Sequence, residues 1–177
     1  MPEKMVLVDG NSLMHRAFHA LPLLDDGAGV YTNAVFGFLS MLLRVLREEA
    51  PDYLGVAFDL HGPTFRHEAY ADYKAGRSPT PEELKPQFDV LKEILGAMGV
   101  KVLTCPGYEA DDILGTFSKK CEQRGIDAVL VTGDRDSFQL AGPRTRVLYT
   151  KRGISDTERV TPEYLLEKYG LTPSQMI

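Results

Sequence analysis

The chain has 177 residues, two cysteines and a formal net charge of −5. That length makes one ordinary domain with enough interior to fold without a disulfide staple. Cys105 and Cys121 lack zinc-ligand spacing and have no companion cluster, so they read as reduced thiols of a cytoplasmic protein. The first apolar run is too short for a signal peptide or a membrane span, and no membrane partner is expected.

Met5-Val-Leu-Val8 is a short apolar run closed by Asp-Gly, which predicts a buried strand. Leu21 to Thr32 reads as a loop. Asn33 to Glu49 carries Phe36, Leu39, Leu43 and Leu46 at helical spacing, which predicts an amphipathic helix. Leu54 to Phe58 is a second strand. His61 to Thr80 lacks apolar periodicity and carries Arg66, Tyr73, Lys74 and Arg77; a stretch so long and irregular in a compact domain is usually functional or disordered. Pro81 to Met98 is a helix with Leu84, Phe88, Leu91 and Leu95 on one face and Pro81 in its first turn. Val100 to Leu103 is a third strand, Glu109 to Arg124 a helix ending before Gly125, and Ala128 to Thr132 a fourth strand. Two β-prone stretches within Arg146 to Val160 flank Arg152-Gly153 and predict a hairpin or edge strand. The basic run Arg144, Arg146, Lys151 and Arg152 reads as a solvated hairpin in preference to a DNA contact. Thr161 and Pro162 open a last helix. The alternation defines an α/β class: a mostly parallel twisted sheet with helices on both faces, in three layers.

Asp9 directly follows the first strand and Asp59 the second; Asp134 follows the fourth after one glycine, with Asp136 two residues on. The carboxyl ends of strands in an open parallel sheet form its ligand-binding edge. Glu109, Asp111 and Asp112 open the helix that leads into the fourth strand, and the same topology brings that helix start to the same edge. Each acid alone has a bland reading, as a turn residue or a partner of a helix dipole. Seven carboxylates on one rim repel one another unless cations sit among them, and hard oxygen donors with almost no nearby His or Cys favour Mg²⁺ or Mn²⁺ over zinc. Two such ions about 4 Å apart suit phosphodiester hydrolysis, by activating water and stabilising a leaving oxygen. The seven acids outweigh the whole net charge, so the rest of the chain is slightly positive and an acidic total does not exclude nucleic acid. No Gly-x-Ser-x-Gly elbow, Walker loop or Gly-x-Gly-x-x-Gly turn is present, which disfavours α/β hydrolases, kinases and dinucleotide enzymes. Val8-Asp9-Gly10-Asn11 also lacks the Asp-x-Asp pair of a phospho-aspartate phosphatase.

Leu7-Val-Asp9-Gly-Asn, His15-Arg-Ala-Phe-His-Ala20, Phe58-Asp59, Thr64-Phe-Arg66, Tyr73-Lys-Ala-Gly-Arg77, Gly107-Tyr-Glu-Ala-Asp-Asp112 and Thr132-Gly-Asp-Arg-Asp136 together resemble the 5′–3′ exonuclease domains of bacterial DNA polymerases I. That family stands with the flap endonucleases and is related to the PIN-like nucleases. The resemblance runs in order through essentially the whole chain, and the Gly-Tyr-Glu-Ala-Asp-Asp and Thr-Gly-Asp-Arg-Asp segments are its most specific parts. It implies that Asp9, Asp59, Glu109, Asp111, Asp112, Asp134 and Asp136 bind two Mg²⁺ or Mn²⁺ ions. It implies that Arg16, Arg66, Lys74 and Arg77 engage phosphate, with Lys74 and Arg77 nearest the reacting group, and that Tyr73 stacks on a base. A helical arch over about residues 61–90 would admit the 5′ single strand of a flap. The implied activity is structure-selective DNA hydrolysis at 5′ ends or flaps, in replication and repair, with a polymerase domain as a further part of the full-length protein. The family pattern continues into a helix–hairpin–helix segment with two further aspartates. That segment would lie past Ile177, so a complete first metal site and an incomplete second one are expected. A fragment that binds metal and flap DNA with little turnover, and a PIN-type ribonuclease, are the competing readings. Compact PIN enzymes do not need so long an arch.

Overall fold

The structure is a computed structural model that describes residues 2–60, 62–70, 73, 76, 79–153 and 155–176, with Arg152 described by its backbone alone. Six strands form one sheet: β1 (Lys4–Asp9), β2 (Tyr53–Ala57), β3 (Lys101–Leu103), β4 (Asp127–Thr132), β5 (Thr145–Arg152) and β6 (Asp156–Val160). Their order is β3-β2-β1-β4-β5-β6. Five strands run parallel, and β6 turns back antiparallel on β5 as the predicted hairpin at the edge. The chain winds outward from β1 through β2 and β3, then outward on the other side through β4 and β5. The switch point lies between β1 and β4, where open sheets of this kind leave a crevice at the carboxyl ends of their strands.

Successive strand residues face opposite layers. Val6, Val8, Val56, Val129 and Val131 pack with α1 (Gly10–Ala20), α2 (Asn33–Glu49) and α4 (Lys85–Ala97) through Leu13, Met14, Phe38, Leu42, Leu91 and Leu95. Leu7, Ala57, Leu130, Val147 and Tyr149 face the other layer, which holds α5 (Ala110–Arg124), α6 (Pro162–Tyr169) and the 3₁₀ turn Arg135–Leu140. The predicted three-layer α/β arrangement is therefore the one observed.

Three details differ from the sequence-based expectation. α1 is not among the predicted elements, although Gly10, Leu13, Met14 and Ala17 are buried at helical spacing. α2 has the predicted bounds but a different buried face. Phe36 and Leu43 are 58% and 56% exposed, while Ala34, Phe38, Met41, Leu42 and Val45 are buried. The helix is apolar on two sides, so its period is legible but its phase is not. The segment expected as an arch, about 61–90, divides in two. Leu84 and Gln87 are fully buried in the body of the domain, whereas a short helix α3 (Phe65–Ala69) stands before the described part of the loop.

The start of α2 is completed from a distance. Its N-cap Thr32 makes no side-chain capping bond. Gln87 of α4 accepts instead, its Oε1 receiving the N–H of Ala34 at 2.8 Å and of Val35 at 3.3 Å. Its Nε2 donates to Asn33 Oδ1 at 3.0 Å and Glu83 O at 2.9 Å, and Asn33 Nδ2 donates to Phe18 O at 3.1 Å. One buried amide thus fixes α1, α2 and α4 together. Replacing it by Leu leaves helix-start donors without acceptors, which costs about 2–3 kcal/mol. Gln87→Leu is expected to lower the urea midpoint accordingly at unchanged m-value. An unfolding curve that superimposes on wild type would show that water replaces the amide.

Candidate functional site

Four of the carboxylates at the switch point, Asp9, Asp59, Glu109 and Asp134, are held through backbone N–H groups at helix starts. Asp9 ends β1 and caps α1: its Oδ1 accepts from Ser12 N–H at 3.0 Å and its Oδ2 from the Thr132 hydroxyl at 3.0 Å. Thr132 ends the adjacent strand β4, and its Oγ1 also accepts from Asp134 N–H at 3.0 Å. One buried hydroxyl therefore sets the spacing between Asp9 and the Asp134 turn. Asp134 in turn accepts from Asp136 N–H at 3.0 Å and caps the 3₁₀ turn. Asp59 follows β2, and its Oδ1 accepts from Ala110 N–H at 2.7 Å, at the first residue of α5. Its own N–H donates to Asn11 Oδ1 at 3.0 Å. Glu109 caps α5 and is buried, and the Tyr73 hydroxyl donates to its Oε2 at 3.2 Å.

These groups open on a cavity of about 1000 Å³. Asp9, Asp59, Glu109, Asp111, Asp134 and Asp136 all line it, with Arg16 and Tyr73. The structure thus brings six of the seven predicted acids together across four chain segments. Asp112 and Arg66 are not in the lining. They face each other outside it, Arg66 donating two parallel bonds to Asp112 at 2.7 and 2.8 Å. Lys74 and Arg77 lie outside the described residues. Arg16 lines the cavity, yet its guanidinium donates to Lys151 O at 2.7 Å and Gly133 O at 2.9 Å, tying the end of β5 to the Asp134 turn.

Several participants were not singled out from sequence. Ser12 Oγ accepts from Gly133 N–H at 2.9 Å. Gly133 is glycine for want of room: a Cβ there would stand 2.9 Å from Arg16 and 3.0 Å from Ser12 Oγ. Asn11, Ser12, His15 and His19 also line the cavity, as does Lys151, expected from sequence in a solvated hairpin. All but Lys151 lie on α1, and recognising its apolar spacing would have placed their side chains beside Asp9. Of the basic run near the hairpin, Arg144 pairs with Asp127, Arg146 with Glu49 and Lys151 with Glu158.

Burial pushes the Asp9 carboxyl up to about 7; the charge of Asp111 pushes the same way, against the Ser12 and Thr132 hydrogen bonds, and Asp59 adds a little. A buried carboxylate crowded by others lacks a counter-charge, and the donors are hard oxygens, so the set fits a hard divalent cation. Among the described residues no three His, Cys, Asp or Glu side chains close on one point as a finished ligand shell. Mg²⁺ commonly keeps several waters and takes only one or two carboxylates directly, which suits carboxylates standing on separate walls.

Residues 4–170 match the family described as the 5′-3′ exonuclease, N-terminal resolvase-like domain. The chain belongs to that family. It is 50% identical over 177 residues to the DNA polymerase I of Bacillus caldotenax, a match covering all of this chain and 20% of that protein. The chain thus spans about a fifth of the length of the curated relatives it matches. Among solved structures, the T5 5′-exonuclease with divalent metal ions (zinc) superimposes with a TM-score of 0.74 at 20% identity, over 98% of this chain and 64% of that one. The bacteriophage T5 flap endonuclease in a pseudo-enzyme-product complex with DNA and metal ions matches with a TM-score of 0.74 at 19% identity, over 98% and 64%. These likenesses establish the fold. No helix among the described residues is long and apolar enough to cross a membrane.

The raised Asp9 carboxyl has a thermodynamic consequence in the metal-free chain. Between about pH 4 and 7 the folded state keeps a proton that the unfolded state has released, so stability falls as pH rises through this window and is level above it. At one pKa unit per 1.4 kcal/mol, the loss is about 4 kcal/mol. Asp9→Asn removes that dependence and keeps a capping side chain. In EDTA at pH 8 the variant is expected to melt above wild type, and at pH 4 the two should nearly coincide. A constant difference across the window would refute the assignment.

Proposed function

We propose that this chain is the catalytic part of a 5′-nuclease that hydrolyses DNA phosphodiester bonds at 5′ ends or 5′ flaps with Mg²⁺ or Mn²⁺. The observation that carries this reading is the convergence of six carboxylates from four segments on one open cavity at the sheet's switch point. Family membership and the DNA-bound relative of the same fold support it. The cavity is large enough to admit a nucleotide strand, and its acids would repel phosphate unless cations neutralised them.

Asp9, Asp59, Glu109, Asp111, Asp134 and Asp136 would hold the ions, directly or through water. When bound, such ions lower the pKa of water and stabilise the leaving oxygen. The chain's own contribution is placement. Asp9 and Asp134 are kept in register by Thr132, and Asp59 is fixed against the start of α5 by Ala110 N–H. Arg16 supplies positive charge on the wall, and Tyr73 presents a ring that can stack on a base without selecting sequence. By family resemblance Lys74 and Arg77 engage the reacting phosphate. The relatives' polymerase identity suggests that a polymerase domain accompanies this unit and that it works in the cytoplasm, in DNA replication and repair.

The test uses a 5′-labelled DNA flap with Mg²⁺ or Mn²⁺. The expected products carry a 5′-phosphate and a 3′-hydroxyl. Asp134→Ala should cut about 100-fold more slowly, the upper end of what loss of even an outer partner of a metal costs, and EDTA should stop the reaction. Binding of the flap with no cleavage would favour a binding module, preferential cleavage of an RNA flap a ribonuclease. Cleavage unaffected by Asp134→Ala would sink the mechanism.

A further inference from the structure

Asp112 stands next to Asp111 in the sequence, yet the two carboxylates have different surroundings. Asp111 lines the cavity, whereas Asp112 does not. Neighbouring residues on a helix are about 100° apart and cannot share a direction. Asp112 is engaged from two sides. Arg66 Nη1 reaches its Oδ2 at 2.7 Å and Nη2 its Oδ1 at 2.8 Å, the parallel fork of a bidentate pair. Oδ2 also accepts the backbone N–H of Glu109 at 2.9 Å, closing a capping box at the start of α5.

Arg66 belongs to α3, at the root of the segment that carries Tyr73. That root is fastened to the loop before α5 by two further contacts. Phe65 N–H donates to Gly107 O at 3.1 Å, and the Phe65 and Tyr108 rings lie 5.5 Å apart. The Arg66 guanidinium also lies 4.6 Å from the centre of the Phe65 ring. A divalent ion on Asp112 would face the guanidinium across one carboxylate, so the charge of Arg66 opposes ligation there.

We infer that Asp112 and Arg66 are not a metal ligand and a phosphate contact but a positioning pair, which anchors the root of the Tyr73 segment to α5 and holds Glu109 toward the cavity. The inference rests on the nuclease reading above. Through Asp112, the guanidinium fixes the backbone of Glu109, and Tyr73 meets the same Glu109 by its hydroxyl at 3.2 Å. The strand-binding segment and the metal-facing glutamate thereby share one anchor.

A double-mutant cycle on the chain decides it, with Mn²⁺ affinity read by electron paramagnetic resonance and flap cleavage resolved into kcat and KM. Asp112→Asn and Arg66→Gln should each raise the flap KM about tenfold, and the double variant should be no worse than Arg66→Gln alone, because Arg66→Gln already removes the fork that Asp112→Asn breaks, along with its contacts to Glu109 and the Phe65 ring. Mn²⁺ affinity should stay within about threefold of wild type in all three, while Asp111→Asn weakens it about tenfold or more. Arg66→Lys should rescue little, since an ammonium lacks the fork, whereas a phosphate contact would tolerate it. The inference is overturned if Asp112→Asn loses Mn²⁺ as Asp111→Asn does, or if the two single effects multiply. Wild-type protein that binds neither Mn²⁺ nor the flap would overturn the nuclease reading instead.

Discussion

The structure is organised around a repulsion. Six carboxylates face one cavity, and burial with neighbouring negative charge leaves Asp9 reluctant to ionise. The fold opposes that repulsion chiefly with backbone N–H groups, beside Arg66, which stands 3.9 Å from Glu109, and Arg16 on the wall. Asp9 caps α1, Glu109 caps α5, Asp134 caps the 3₁₀ turn, and Asp59 takes the N–H of the first residue of α5. Helix starts carry partial positive charge and unsatisfied donors, so they hold anions without neutralising them. Holding acids by N–H groups keeps them placed and still hungry for positive charge.

This constraint explains why a doubly wound parallel sheet suits the site. Adjacent parallel strands end at one edge, and the register aligns Val8 with both Val56 and Val131. Asp9, Asp59 and Thr132 therefore emerge on one rim with no loop engineering. Thr132, positioned by β4, then sets both Asp9 and Asp134. The precision of the site comes from strand register, which core packing on both faces of the sheet enforces.

Much of this was legible in the sequence because it follows from short, local patterns. An acid directly after an apolar β-rich run, or one glycine beyond it, marks a strand end, and three such runs identified Asp9, Asp59 and Asp134. The sheet class followed from alternation. What was hidden depended on phase or on distant partners. Phe36 and Leu43 have helical spacing but point outward, because Ala34 and Gly37 let that side of α2 pack closely and small residues weigh little in an apolar pattern. Gln87 is polar in a helix whose visible signal is leucine, and its task is set by α2, 53 residues away. Asp112 was grouped with the other acids by its place at the start of α5 and by family resemblance, and its pairing with Arg66, 46 residues away, leaves no local signal.

The distribution of charge completes the picture. Outside the cavity, the more buried acids are matched by cations. Buried Glu49 meets Lys4, Arg146 and Arg159, Glu158 meets Lys151 and Lys168, Asp127 meets Arg144, and Asp112 meets Arg66. Pairing of this kind adds little stability at exposed positions, but it cancels the far field of each acid. Among the described residues lining the crevice, six carboxylates stand against Arg16 and Lys151, and its walls focus the resulting negative field. A net charge of −5 is thus a poor guide to the partner of this chain. On the nuclease reading the acids that set it attract metal first, and a phosphate backbone approaching afterwards would meet the ions in place of the bare carboxylates.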